Sequence, residues 1–382
     1  MKLNNRIANL PVYHFKKIDD IKRDLMNKGI DVTDLGVGDP DLSVHKDIIS
    51  GLIKGVSYSN YNQYPPYEGI NELKNQIIKY YDEVFSVKLT SDEVIILIGS
   101  KDGIAHIFPA LCSIGDYAII PDPAYPIYEI VSSLWGIETF KMPLSEGNDY
   151  LPKLGNIPQA VASKSKMMMI NYPNNPTGAV ADASFFKEVV NFCNSNNIVL
   201  CNDAAYNEII GERELPISIL QYDQSKASVE FGTFSKTYNM TGFRIGYAVG
   251  NVDVIKALLT IKSNMDSGQF IPIQCAAIEA LKLTRDYIYD IRKIYCDRRK
   301  LVENILKQKN LEFYKSKGTF YVWGKIPKNY TTMEFCTEIL RKHRVIITPG
   351  FTFGSVGHDN FRIALTRDKK VLQESLNKID VY

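Results

Sequence analysis

Short apolar runs alternate with segments of helical periodicity along most of this chain. The runs have the length of buried strands, and the segments between them repeat apolar residues every three or four positions. The pattern predicts helices over 15–28, 71–85, from 103 onward, 125–135 and 183–194, and strands over 94–98, 116–120, 166–171, 198–201 and 229–231. Strands that alternate with helices in this way are typical of an α/β fold with a mainly parallel sheet flanked by helices.

The pattern changes beyond about residue 282. A long charged helix is predicted over 285–307, followed by a strand over 318–323, a helix near 333–343 and strands over 345–347 and 361–365. A chain of 382 residues is also too long for one ordinary core. We therefore predict an N-terminal arm with part of a small domain (1–45), a large domain (46–282) and a small C-terminal α+β domain (283–382).

Composition excludes several classes of protein. Lys and Arg number 45 against 43 Asp and Glu, so the formal charge of +2 argues against nucleic acid or an anionic membrane as the main partner. The six cysteines form no CxxC pair and the five histidines form no HxH or HxxxH pair, so we expect no metal site. Scattered thiols and the lack of a long apolar run lead us to expect a cytoplasmic protein.

One lysine lies among hydroxyl groups and close to an arginine. The apolar run 228–231 leads into Thr233, Ser235 and Lys236, and Arg244 follows eight positions after the lysine. A lysine amine beside phosphate-binding groups is what covalent binding of a phosphorylated aldehyde requires. The ordinary alternative is an exposed lysine after a strand, which describes most lysines.

Two further clusters lie where predicted strands end, which is where ligands bind in open α/β sheets. Ser100 and Lys101 open the helix after the first strand, so backbone amides there could bind a phosphate, although a plain strand-to-helix turn has the same appearance. Asn175 lies in a loop that two prolines and a glycine stiffen. A structural turn explains the prolines and the glycine, but less readily the paired asparagines.

Three more residues are candidates for chemistry. Asp203 follows a buried strand and could meet a protonated ring nitrogen, with Tyr206 three residues on, although a helix N-cap is an equally good account of the aspartate. Tyr125 could stack on a ring, or be one core tyrosine among 23. Arg362 lies within an apolar strand, so it needs a carboxylate from either the protein or a substrate.

Together these motifs resemble the class I and II aminotransferases, fold type I enzymes that use pyridoxal 5′-phosphate, over essentially the full length. The resemblance rests on the Asn-Asn-Pro-Thr-Gly loop (174–178), the Asp-x-x-Tyr strand end (203–206) and the lysine-to-arginine run (236–244). Within the family, the segments 10–15, 35–41, 98–103 and 236–242 resemble the LL-diaminopimelate aminotransferase-like subgroup.

The resemblance implies a role for each residue toward the cofactor. Lys236 would form the internal aldimine and carry the proton, and Asp203 would pair with the pyridinium nitrogen. Asn175 and Tyr206 would contact the phenolate oxygen, and Tyr125 would stack on the ring. The implied phosphate ligands are Ser100, Lys101, Thr233, Ser235 and Arg244.

The resemblance also implies which residues bind the substrate and how the subunits assemble. Arg362 would bind the substrate α-carboxylate, with Gly38, Tyr13 and Asn175 beside it. Lys101 and the segment 262–264 are the candidates for contacts to the distal group. Tyr64 would reach the phosphate of a neighbouring subunit, which implies a homodimer with shared active sites.

The function implied is amino-group transfer between an amino acid and a 2-oxo acid. LL-diaminopimelate and 2-oxoglutarate, a pair of lysine biosynthesis, are the substrates that the subgroup implies. A broad aspartate or alanine aminotransferase and a carbon–sulfur β-lyase are the alternatives. A cofactor-sensing regulator would add a DNA-binding module, whereas the aminotransferase-like arm begins almost at residue 1. A nicotinamide oxidoreductase would need a GxGxxG after its first strand, and none occurs there.

Overall fold

The fold is taken from a computed structural model that describes residues 4–8, 10 and 16–380. Its helices are α1 (Asn5–Ala8), α2 (Lys16–Asn27), α3 (Lys46–Gly55), α4 (Asn71–Phe85), α5 (Ser100–Leu111), α6 (Ile127–Trp135), α7 (Gln159–Ala162), α8 (Ala183–Ser195), α9 (Phe234–Thr237), α10 (Val252–Met265), α11 (Ile271–Leu281), α12 (Arg285–Gln308), α13 (Thr332–Glu338) and α14 (Lys369–Asn377). Its strands are β1 (Thr33–Asp34), β2 (Val94–Leu97), β3 (Tyr117–Asp122), β4 (Glu138–Pro143), β5 (Ser165–Ile170), β6 (Val199–Asp203), β7 (Val229–Thr233), β8 (Gly246–Gly250), β9 (Tyr321–Lys325), β10 (Val345–Ile346), β11 (Thr348–Pro349) and β12 (Asn360–Ala364).

A seven-stranded sheet forms the centre of the larger part, in the order β2-β8-β7-β6-β5-β3-β4. Only β8 is antiparallel to its neighbours, and the other adjacent strands pair in parallel. The predicted α/β fold with a mainly parallel sheet is therefore confirmed. Because β2, β3, β5, β6 and β7 all run in the same direction, the residues that follow them meet along one edge of the sheet.

The sheet is buried on both faces, which explains its nearly continuous apolar strands. Met167 and Met169 of β5 contribute to one hydrophobic core, and Met168 and Ile170 contribute to another. Alternate side chains of a strand point to opposite faces, so a strand covered on both sides needs apolar residues throughout.

A second, smaller part combines both ends of the described chain. Strands β11, β12 and β9 form an antiparallel sheet. Thr33 and Asp34 of β1 pair in parallel with Val345 and Ile346 of β10, and one hydrophobic core joins Ile18 and Leu35 to side chains of the C-terminal region. The domain limits at residues 45 and 282 stay a prediction.

The apolar pattern located most elements but not all of their ends. The helix predicted from residue 103 begins at Ser100, and the strand predicted over 318–323 begins at Tyr321. Strands β4 and β8 were not predicted, because β4 carries charged residues at an edge of the sheet and β8 begins and ends with glycine. In the described ranges, no helix combines the length and the apolar character that crossing a bilayer requires.

Candidate active site

A cavity of about 590 Å³ opens at the carboxyl edge of the large sheet. Most of the residues singled out from the sequence line it: Gly38, Ser100, Lys101, Tyr125, Asn175, Asp203, Tyr206, Thr233, Ser235, Lys236, Arg244 and Arg362. Tyr64 is 89% exposed and lies outside this cavity. Tyr13 lies outside the described residues.

Lys236 projects into the cavity from α9, directly after β7. Its Nζ atom donates a hydrogen bond to the Gly38 carbonyl at 3.0 Å, and it lies over the rings of Tyr206 and Phe320 at 5.9 and 5.7 Å. The backbone of Gly38 approaches closely because it has no side chain: an added Cβ would lie 1.8 Å from the Tyr321 hydroxyl. The amine is thus held between a carbonyl and two aromatic faces.

Asp203 ends β6 and is buried. Its carboxylate accepts hydrogen bonds from the Tyr128 hydroxyl at 2.7 Å and the Ala205 amide at 3.2 Å. Burial raises the pKa of Asp203 to about 6, although these hydrogen bonds and the charge of Lys236 act to lower it. A turn, not a helix, follows β6, so the N-cap interpretation of this aspartate is wrong.

Arg362 lies on β12, and its guanidinium donates to neutral acceptors. It donates to Asn175 Oδ1 and to the Gly36 carbonyl, each at 2.7 Å, and stacks 3.9 Å from the centre of the Tyr321 ring. Its Nε is buried without a hydrogen-bond partner, and among the described residues it forms no ion pair. Of the two partners expected for this arginine, the protein carboxylate is therefore excluded within that part of the chain.

The Tyr206 hydroxyl forms a hydrogen bond with a residue that the sequence did not single out. The hydroxyls of Tyr206 and Tyr321 lie 2.9 Å apart. Burial, followed by the proximity of Tyr321, raises the pKa of the Tyr206 phenol well above its ordinary value, while Arg362 acts to lower it. Tyr206 is therefore a neutral hydrogen-bond donor at physiological pH.

Donors for an anion converge at the other end of the cavity. Ser100 begins α5, so the first amides of that helix lack partners within the helix. The Thr233 hydroxyl lies 3.0 Å from the Ser235 hydroxyl. A Cβ on Gly99 would lie 2.7 Å from Nη2 of Arg244, which shows how closely this guanidinium approaches the start of the helix.

Comparisons with known proteins show the family of this chain. The family described as "Aminotransferase class I and II" matches residues 30–379. This chain belongs to the class I and II aminotransferases.

The relatives of this aminotransferase extend over its whole length. It is 42% identical to the LL-diaminopimelate aminotransferase of Natranaerobius thermophilus, covering 100% of both chains. It is also 42% identical to the protein of that name from Moorella thermoacetica, covering 99% of this chain and 98% of the relative. The structure of substrate-bound BacF from Bacillus subtilis superposes with a TM-score of 0.94 at 33% identity, covering 99% and 97% of the two chains.

Some residues of this aminotransferase site could not be found from the sequence. Tyr128 and Tyr321 contact Asp203 and Tyr206, but nothing in their local sequence separates them from the other tyrosines. Lys262 was a candidate for distal-group contacts, and that interpretation is wrong for this residue, because its side chain is buried in ion pairs with Asp102 and Asp266 and does not line the cavity.

Proposed function

We propose that this aminotransferase transfers an amino group between LL-diaminopimelate and 2-oxoglutarate, with pyridoxal 5′-phosphate in the cavity. The observation that carries the proposal is that Lys236 and Arg362 line the same cavity, with no acidic partner for Arg362 among the described residues. The choice of LL-diaminopimelate is supported by full-length relatives that bear the name of that activity.

The residues of the cavity fit the cofactor. Asp203 is a buried carboxylate without an ion-pair partner among the described residues, and a protonated ring nitrogen would supply that partner. The amides of α5 with Ser100 and Lys101, the hydroxyls of Thr233 and Ser235 and the Arg244 guanidinium form a donor set for a phosphate. When bound, the cofactor serves as an electron sink that stabilises negative charge at the substrate α-carbon.

Each of the other residues then has a task. Arg362 and the Asn175 amide bind the substrate α-carboxylate, and stacking on Tyr321 orients the guanidinium. Lys236 would hold the cofactor through its amine, and that amine would carry the proton of the substrate α-carbon. Tyr206 and Asn175 would donate to the ring oxygen of the cofactor, and Tyr125 would cover a ring face. Gly38 lines the substrate side, where the family resemblance also places Tyr13, and Lys101 would contact the distal carboxylate.

The same proposal includes a homodimer. Exposed aromatic residues cluster in one stretch of the chain, with Tyr58, Tyr61, Tyr64 and Tyr67 between 39% and 89% exposed. Gly268 packs against the backbone of this stretch at Pro65 and Pro66, and the exposed Phe270 follows it. A large exposed aromatic patch is typical of a protein interface, and it would let Tyr64 reach the partner's phosphate site. Six free thiols support a reducing, cytoplasmic compartment.

A half-reaction separates this proposal from its alternatives. The purified cofactor-loaded protein is mixed in turn with LL-diaminopimelate, aspartate, alanine and glutamate, and the conversion of the aldehyde to the amine form is followed by absorbance. We expect fast conversion with LL-diaminopimelate and glutamate only. Fast conversion by aspartate or alanine without a response to LL-diaminopimelate would leave a broad aminotransferase. Release of pyruvate and ammonia from cysteine-type substrates without an acceptor would instead identify a β-lyase.

A further inference from the structure

A buried cluster of charges adjoins the first turn of α5. Lys262 on α10 is fully buried, and its Nζ lies 2.6 Å from Asp266 Oδ1 and 3.3 Å from Asp102 Oδ2. His106, one turn after Asp102 on α5, is 3.4 Å from Asp102 and 3.8 Å from Asp266. None of these four residues lines the cavity.

The two carboxylates and the imidazole are near enough to one another to hold a metal ion, with ligand atoms within 4.8 Å. The ammonium group of Lys262 already supplies positive charge to both carboxylates. A buried ion needs a partner of opposite charge, and Lys262 has two. The cluster is therefore an internal ion-pair network. Its role in the protein depends on which segments of the chain the two carboxylates bind.

Asp102 connects the network to the turn that begins α5. Its Oδ2 atom accepts a hydrogen bond from the Ile98 amide at 3.0 Å as well as from Lys262 at 3.3 Å. The bond to Ile98 spans Gly99, Ser100 and Lys101, so the carboxylate fixes the backbone between the end of β2 and the first turn of the helix. Ser100 and Lys101 of this turn line the cavity.

Asp266 connects the network to the segment that supports Arg244. It directly follows α10, and three residues later the Gln269 side-chain amide donates to the carbonyl of Arg244. Arg244 has a left-handed backbone, with φ of 54°, which favours glycine, so it needs such support. One lysine thus joins both sides of the anion-binding end of the cavity.

We propose that Lys262 is a positioning residue for the phosphate group of the cofactor. By drawing Asp102 and Asp266 together, it fixes the α5 turn and the Arg244 segment at the separation that lets both bind one phosphate. The inference rests on the proposed function, since it concerns the same cofactor, and it assigns a role to a side chain that the cofactor does not touch.

Electrostatics support this role. Burial raises the pKa of Asp266, and the nearby Asp102 carboxylate raises it further, whereas Lys262 lowers it. Without the lysine, two partly buried carboxylates would face each other and repel. The α5 turn and the Asp266 segment would then separate.

The test uses cofactor-free protein and two ligands that differ only in the phosphate. Dissociation constants of pyridoxal 5′-phosphate and of pyridoxal are measured by fluorescence titration for the wild type, Lys262→Met and Asp266→Asn. Lys256→Met, an exposed lysine on the same helix, is the matched control. We expect Lys262→Met to weaken pyridoxal 5′-phosphate binding about tenfold or more and Asp266→Asn to weaken it less, with pyridoxal binding unchanged in both.

The outcomes separate the two proposals. Failure of the wild type to bind pyridoxal 5′-phosphate would refute the proposed function. If both variants bind pyridoxal 5′-phosphate as tightly as the wild type, or lose affinity equally for pyridoxal 5′-phosphate and pyridoxal, the role of Lys262 is refuted. The proposed function would not be affected by either result. If Lys262→Met does not fold, Asp266→Asn decides the matter by the same comparison of ligands.

Discussion

At the scale of single residues, Asp203 combines burial with charge in a way that folding alone does not favour. Its ordinary pKa is 3.8, and burial raises it to about 6. Between these values the native state holds a proton that the unfolded chain has lost, so the free energy of unfolding falls as the pH rises through this window. Above about pH 6 the destabilisation is complete, on the order of 2–3 kcal/mol without cofactor.

Replacing Asp203 by asparagine should therefore stabilise the cofactor-free protein while weakening its function. At pH 8 we expect Asp203→Asn to unfold at a higher urea concentration than the wild type. This difference in urea midpoint should be smaller at pH 5, because the wild-type carboxyl is then largely protonated in the native state. Urea unfolding of both proteins at the two pH values measures this. A difference in urea midpoint of equal size at pH 8 and pH 5 would contradict the assignment of this pH dependence to the carboxyl of Asp203.

Lys236 is the residue whose loss should abolish chemistry without affecting the fold. We expect Lys236→Ala to lose the absorbance of covalently bound cofactor and to lower the transamination rate by about 10²–10⁴-fold, as for a lost general acid–base group. Absorbance spectra and initial rates measure both effects. Lys187→Ala, an exposed lysine on α8, is the control, and equal rates in the two variants would rule out the role of Lys236.

At the scale of elements, the turn from β2 to α5 requires glycine. Gly99 has φ of 80° and ψ of 158°, a conformation open almost only to glycine, and other residues there cost of order 1–3 kcal/mol. An added Cβ would also approach the Arg244 guanidinium at 2.7 Å.

We expect Gly99→Ala to weaken pyridoxal 5′-phosphate binding about tenfold, equivalent to about 1.4 kcal/mol, because the helix start and Arg244 are displaced together. Fluorescence titration of the cofactor-free protein measures this. Gly147→Ala is the control, since nothing lies within 4 Å of an added Cβ there. An affinity for Gly99→Ala equal to that of this control would show that the turn tolerates a side chain.

At the scale of the whole molecule, the proposed shared active site predicts complementation between inactive subunits. Lys236→Ala lacks its own amine, and Tyr64→Ala lacks the hydroxyl offered to the neighbour. We expect each variant to be impaired alone and a mixture, after subunit exchange, to regain activity, because one site per hybrid dimer then contains both residues. Activity of mixtures at several ratios, with sedimentation to determine the oligomeric state, measures this. A mixture no more active than the sum of its parts would place Tyr64 outside the site.

Local sequence determined most of the regular elements and indicated the residues of the proposed active site. The helix predicted over 71–85 is observed as α4 with the same limits. Lys236, Asp203, Asn175 and Arg244 could be singled out because each lies in a short motif at or after the end of a buried strand. The ends of parallel strands meet at one edge of a sheet.

Tertiary structure decided the partners of those residues. Four contacts join positions far apart in the chain: Tyr128 with Asp203, Tyr206 with Tyr321, β8 with β2, and Lys262 with Asp102. Apolar periodicity reports only which face of an element is covered, not which element covers it. A residue's type and its local pattern therefore state what it is able to do, and the packing of distant segments decides what it contacts.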